Sequence, residues 1–353
     1  MTAATQAGRR SLLDVIKAYV ALTKPRIIEL LLITTVPAMI LAEGGWPGFG
    51  LVAGTVGGGA LSAGGANAIN NVVDRDIDAR MRRTRRRPLP AETASPREAL
   101  VLGVTLGAAG FVVLWMAANI EAALLATGAL GFYVFIYTIY LKRITPQNIV
   151  IGGAAGAVPA LVGWTAVTGS VGLAAWLMFA VIFYWTPPHF WALALRFRAD
   201  YEAAGVPMLP VVAGERATAI QITLYSFVAV GASLLLQPAA GSGLLYVVAA
   251  VVLGLGFVGA SLTLLGSASG AMRVFRFSNV YLALLFAAIA LDALIADPAA
   301  ASQAIAWVGS FLVVAGSIAI VVVTRPNTAR EIVFVLIPTA GAVAVALTVL
   351  SRS

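Results

Sequence analysis

The chain has 353 residues, of which 60% are hydrophobic and 11% charged, with a formal net charge of +8. Soluble domains carry about 25% charged residues, so this composition belongs to an integral membrane protein. Cysteine is absent, which excludes disulfides and cysteine-held metal or heme.

The opening stretch, MTAATQAGRRSLLDVIKAYVALTKPRI, holds arginines but no short apolar core followed by a small-residue cleavage site. Residues 1–26 therefore read as a retained segment rather than a signal peptide. Apolar stretches follow at 27–42, 49–71, 98–118, 121–141, 148–168, 172–195, 217–237, 242–266, 277–296, 303–324 and 331–351. Runs of about 17–25 residues match a bilayer core of about 30 Å. Backbone groups in lipid must be satisfied within the segment, so the expected fold is an all-α transmembrane bundle.

Charge gives the expected topology. If alternate connections are assigned to one side, that side collects every one of the 23 Lys and Arg residues except Arg352. By the positive-inside rule this side is cytoplasmic, with the N-terminus on it and the C-terminus opposite. The membrane expected is a bacterial-type cell (inner) membrane, crossed many times.

Three cytoplasmic connections carry chemistry. The first begins NAINNVVDRDIDARMRRTRRRPLP at Asn67, after a run with no charge from 44 to 73. Asn70, Asp74 and Asp78 are spaced i, i+4, i+8, so on a helix they share one face while Asp76 points away. An amide and two carboxylates at the mouth of a bundle suit Mg²⁺, which takes one or two carboxylates plus substrate phosphates. The arginines beyond offer bidentate donors to phosphate oxygens. Acid then base at a membrane surface fits a diphosphate with a lipid tail. A basic run beside a membrane also serves as a topology anchor or lipid patch. Two acids on one helical face serve neither purpose. Nucleic acid is not expected, since no aromatic interleaving accompanies the run.

The second connection is YTIYLKRITPQNIVIGGAAGAVPALVGW, residues 137–164. Tyr137, Tyr140, Lys142 and Arg143 end a span, and the glycine–alanine run after them permits close approach of a helix or a ligand. The third runs from Phe183 to Thr218. Pro187 and Pro188 predict a kink, and His189, the only histidine, follows between Trp185, Phe190 and Trp191. Asp200 and Glu202 come next. Glu29 is the main charge inside a span; a basic rim residue could pair it, and the sequence does not decide this.

NNVVDRDIDARMRRTRRRPLP resembles the first aspartate-rich motif of the UbiA-type intramembrane prenyltransferases. Its continuation through Met81, Arg83, Thr84, Arg87, Pro88 and Leu89 is similar to the branch that farnesylates protoheme IX. TKPRI, WTPPHFWALAL, DYEAAGVPMLPVV and FSNVYLALLFAAIALD resemble the same branch, in order, over about residues 20–295.

The resemblance implies a bundle of nine transmembrane helices over 27–296, with a central cavity, and two extra helices in 297–353. It implies transfer of the farnesyl group of farnesyl diphosphate to a vinyl group of heme b, with water added, in heme A biosynthesis. Heme b is then a substrate, Mg²⁺ the cofactor, and heme A synthase or terminal oxidase assembly proteins the downstream partners. Carried onto this sequence, Asn70, Asp74, Asp78 and Asp200 are the metal ligands. Arg83, Arg87, Lys142 and Arg143 are the basic residues of the reaction. His189, Trp185 and Tyr137 are the heme-side contacts, and Tyr140, Trp164 and Trp191 further aromatic walls. The second acidic motif is thin, with Asp200 and then Glu202 where two spaced aspartates are usual. The competing readings are a quinone or chlorin acceptor and a non-enzymatic heme-handling protein. A transporter would place its polar groups at mid-membrane, not at the rim.

Overall fold

The chain enters the bundle through α1 (Leu12–Thr23), capped by the Ser11 side chain. No helix is expected there from the apolar pattern. Lys24, with φ 53°, closes α1 and opens α2 (Pro25–Glu43), where Pro25 supplies the φ suited to a first helical turn. This computed structural model describes residues 11–295, 309–310, 312–314, 316–318, 320–321 and 329–350. Among the described residues there are helices and turns but no strand.

The second helix pair begins with α3 (Phe49–Val73), which hands over at Asp74 to the short α4 (Arg75–Arg80). Next is α5 (Pro96–Ala117), started by a capping box in which Ser95 and Glu98 satisfy each other's backbone N–H. Then α6 (Ile120–Gly131), capped by Asn119, widens into a π-helical segment, Phe132–Leu141, and ends in the turn Lys142–Ile144. The sequence predicts an ordinary helix over this stretch; only the hydrogen-bond pattern shows the wide turns.

The remaining elements are α7 (Asn148–Thr168), α8 (Leu173–Arg196), the short α9 (Arg198–Ala203) and α10 (Leu209–Val212), then α11 (Gly214–Ala240), α12 (Leu244–Leu262), α13 (Ala271–Ile295) and α14 (Ala329–Leu350). Among the described residues eight helical segments are long and apolar enough to cross a membrane, and Ile33–Glu43 and Pro338–Val349 are shorter apolar stretches. The expected span 303–324 lies largely outside the described residues, as does the Glu29 side chain. α8 continues as one helix through Pro187 and Pro188. It is packed by α7, α11 and α13, and such neighbours hold a segment whose N–H groups are missing.

Two groups of helices share α2 and α7. One contains α3, α5 and α6, and the other α8, α11, α12 and α13. The α3–α5 contact is backbone on backbone. A Cβ at Gly65 would lie 2.6 Å from the Gly103 carbonyl oxygen, and one at Gly110 would lie 2.7 Å from the Ser62 nitrogen. Small residues of this kind drive helix association in lipid, where apolar burial gives little. At the far end of the bundle Asp292 accepts from the backbone N–H groups of Gly243 and Tyr246 and caps α12. The C-terminal α14 packs on α11, and the Tyr184 hydroxyl donates to the Pro338 carbonyl.

Candidate active site

A cavity of about 340 Å³ opens among α2, α3, α6, α7 and α8. Its charged and polar lining comprises Lys24, Asn67, Asn70, Asp78, Arg83, Arg87 and Lys142, whereas Asp74 does not line it. The lining also includes Val56, Gly59, Gly156, Val162, Trp185 and Phe190, with Thr55 and Ser62 among them. Tyr133, Tyr137 and Tyr201 also line it. A lining that combines a charged cluster with apolar side chains suits a molecule with an anionic head and an apolar tail.

Asn70, Asp74 and Asp78 stay in one row across the α3–α4 junction. The Asp74 N–H bonds the Asn70 carbonyl at 2.9 Å, and the Asp78 N–H the Asp74 carbonyl at 2.8 Å. All three side chains are buried, Asp74 completely. The Asn70 amide nitrogen donates to Asp74 Oδ2 at 2.8 Å and to Thr138 Oγ1 at 3.1 Å. Its Oδ1 accepts from Lys24 Nζ at 2.6 Å. Lys142 Nζ pairs with Asp74 Oδ2. Arg87 Nη1 spans both oxygens of Asp78, at 3.0 and 2.8 Å.

The basic run divides. Arg83 and Arg87 line the cavity, Arg83 at its exposed edge, whereas Arg82, Arg85 and Arg86 are exposed and do not line it. Arg83 donates to the Tyr201 hydroxyl at 3.4 Å and lies over the Phe197 ring, 5.4 Å from its centre, which bridges the α4 loop to α9. Arg143 faces outward and clasps Asp76 at 2.7 and 2.8 Å. Its bond holds the exposed Asp76 carboxyl down at about 2.

Asp200, in the first turn of α9, neither lines the cavity nor joins Asp74 and Asp78 in a cluster of three metal-binding side chains among the described residues. Trp185 and Tyr137 line the cavity; His189 does not. His189 is buried, with Nδ1 2.8 Å from Ser278 Oγ and its ring stacked between Trp185 and Phe275 at 4.4 and 4.5 Å. Trp191 is fully buried, edge-on to Tyr225, while Tyr140 lies on the outer surface. Trp164 packs against Gly172 and the core.

Asp74 Oδ1 is buried and has no hydrogen-bond partner. A cation beside it would offset that cost, and the donors in reach are the hard oxygens that Mg²⁺ prefers. No group of three or more His, Cys, Asp or Glu that could hold a metal is gathered among the described residues. The row therefore fits a metal shared with a diphosphate rather than a cage made by protein alone.

Lys24 is the main site residue beyond those expected. Its only sequence signal is its place in TKPRI, just before a span. Asn67 donates to the Thr23 carbonyl at 3.1 Å and Asn71 to that of Leu22 at 2.9 Å, so α3 grips the end of α1 and fixes the lysine. Burial, with Arg87 and Lys142 nearby, pulls the Lys24 ammonium down to about 7. Tyr133 and Thr138 reach the site from the π-helical segment, where Thr138 Oγ1 bonds the Tyr133 carbonyl at 2.8 Å. Wide turns of this type recur at functional sites.

Residues 31–278 match the UbiA prenyltransferase family. The chain belongs to the UbiA prenyltransferase family. It is 54% identical over 285 residues to the protoheme IX farnesyltransferase of Frankia alni, across 79% of this chain and 99% of that one. The fold of this UbiA-family chain also resembles solved structures. One, concerned with digeranylgeranylglyceryl phosphate synthase in membranes, has TM-score 0.66 and 20% identity over 80% of this chain and 99% of its own. A UbiA homolog from Archaeoglobus fulgidus, bound to GPP and Mg²⁺, has TM-score 0.53 and 17% identity over 77% of this chain and 99% of its own.

Proposed function

We infer that the chain is a heme O synthase: it transfers the farnesyl group of farnesyl diphosphate to a vinyl group of heme b, with addition of water. The observation that carries this is the cavity itself, lined by Asn70, Asp78, Lys24, Arg83, Arg87 and Lys142 together with apolar side chains, with the fully buried Asp74 paired to Lys142 just behind that lining. The identity to protoheme IX farnesyltransferase supports the acceptor.

In the proposed reaction the farnesyl C1–O bond breaks and the electron pair leaves with the diphosphate. The vinyl terminal carbon bonds to C1. Water adds to the carbon beside the porphyrin and releases a proton, giving the hydroxyethylfarnesyl side chain of heme O. Asn70, Asp74 and Asp78 would hold Mg²⁺, which supplies positive charge against the departing diphosphate. Arg83, Arg87, Lys142 and Lys24 donate to diphosphate oxygens that gain charge as the bond breaks. Tyr133, Tyr137 and Trp185 turn aromatic faces to the allylic cation and keep bulk water from it. Asp200, outside the cavity lining, takes no metal in this reading, and Arg143 braces α4 through Asp76. His189 acts on the heme side through Trp185.

The prenyltransferase domain is proposed to be residues 27–296, in a bacterial cell membrane with the site on the cytoplasmic face. The segment 297–353 serves packing, and the product passes to heme A formation.

The test uses purified protein with heme b, farnesyl diphosphate and Mg²⁺, followed by mass analysis of the heme. A hydroxyethylfarnesyl heme that disappears with EDTA and in Asp74→Ala is expected. Prenylation of an added quinone instead, with the heme unchanged, overturns the acceptor.

A further inference from the structure

Each member of the ligand row already has a cation of its own. Lys24 sits on the Asn70 oxygen at 2.6 Å, Lys142 on Asp74, and Arg87 on both oxygens of Asp78. We infer that Lys24, together with Lys142 and Arg87, is an exchangeable counter-ion: it holds the row while the site is empty and passes to the diphosphate when metal takes its place, so that metal and diphosphate bind as a coupled pair. This rests on the metal–diphosphate reading of the site given above.

Asp74 and Asp78 are each already paired, with Lys142 and Arg87, and Lys24 holds the Asn70 oxygen beside them. A divalent ion arriving alone adds positive charge and meets an Asn70 oxygen already taken by Lys24. A diphosphate arriving alone draws the cations off Asp74 and Asp78 and leaves carboxylates buried without partners, which is strongly unfavourable. Arriving together they remove both costs, because the metal covers the oxygens that the cations release. The buried, unpartnered Asp74 Oδ1 marks where the present pairing is incomplete.

The parts suit such an exchange. The Lys24 backbone is fixed by Asn67 and Asn71 through the last carbonyls of α1. Its side chain is a flexible stem with a rotatable ammonium, able to turn between neighbouring acceptors without backbone movement. It already lines the cavity.

The experiment uses the full chain in lipid nanodiscs. Two affinities are measured: Mn²⁺ alone, from loss of the free-ion EPR signal, and a radiolabelled farnesyl thiolodiphosphate in saturating Mn²⁺. Lys24→Gln is expected to bind Mn²⁺ alone about tenfold more tightly and the analogue about tenfold more weakly than the unmodified chain. Lys24→Arg, which keeps the charge, should move both values back. If Lys24→Gln does not fold, Lys142→Gln is measured the same way and carries the same pair of opposite shifts. Two affinities that fall together, or that both stay fixed, overturn the inference, since a merely structural lysine gives that result. Failure of the unmodified chain to bind the analogue with Mn²⁺ overturns the reading of the site itself.

Discussion

Asn71 on α3 donates its side-chain N–H to the carbonyl oxygen of Leu22 at 2.9 Å and to that of Asn67 at the same distance. The first bond satisfies a carbonyl that the end of α1 leaves open, and it fastens Lys24 beside the ligand row. Asn71→Leu keeps the volume and loses both bonds inside a buried contact. The expected cost is about 1–3 kcal/mol. The Michaelis constant for farnesyl diphosphate should rise more than the turnover number falls, because a binding group is displaced while the ligand row stays in place. Thermal unfolding and steady-state kinetics on one preparation check both parts. A fall in turnover alone would detach Lys24 from diphosphate binding.

Chelation should stop the reaction without unfolding the protein. The carboxylates that would hold Mg²⁺ are already paired with Lys142 and Arg87, so removal of the ion leaves no bare pair of buried charges. With EDTA the unfolding midpoint should therefore move little, while transfer to heme ceases. In Lys142→Met the same treatment should lower the midpoint markedly, since Asp74 then has neither metal nor lysine. Scanning calorimetry with and without EDTA on the two proteins reads this directly.

The bundle and its charged rim were legible because their signals are local. Span lengths read from apolar runs fall within a few residues of α3, α5, α7 and α8. The i, i+4, i+8 row was legible because backbone hydrogen bonds continue through Asp74 even though α3 ends there. What stayed hidden depends on contacts far apart in sequence. Lys24 meets Asn70 across 46 residues, and Arg83 meets Tyr201 across 118. No periodicity reports such meetings. The division of the arginine run into Arg83 and Arg87, which line the cavity, and Arg82, Arg85 and Arg86, which do not, was equally hidden, because α4 gives way at Met81 to turns whose facing is set by the loop.

Two glycines separate packing from substrate space. At Gly65 an added Cβ would strike the Gly103 carbonyl at 2.6 Å, whereas at Gly156, which lines the cavity, it would meet nothing within 4 Å. Gly65→Ala is therefore expected to cost about 1–3 kcal/mol by overpacking the α3–α5 contact. Gly156→Val should leave the unfolding midpoint near that of the unmodified chain and slow transfer about 10–100-fold, because its side chain occupies space a substrate needs. Heat-inactivation curves and rates with farnesyl diphosphate distinguish the two. Normal transfer in a folded Gly156→Val would move the substrates away from α7.

His189 is expected to act through packing. Its Nδ1 lies 2.8 Å from Ser278 Oγ, and its ring is held between Trp185 and Phe275 outside the cavity lining. Trp185, which does line the cavity, is anchored from the same place, since its Nε1–H donates to the Ser278 carbonyl at 2.7 Å. His189→Gln keeps a polar partner for Ser278 and loses the stack, so stability should fall by about 1–3 kcal/mol. The Soret band and EPR signal of heme b bound to the protein should match those of the unmodified chain, because no iron ligand has been removed. Transfer should slow through a displaced Trp185, and Trp185→Phe should reproduce that loss with His189 intact. A changed iron signature in His189→Gln, with none in Trp185→Phe, would place the histidine on the metal of the heme.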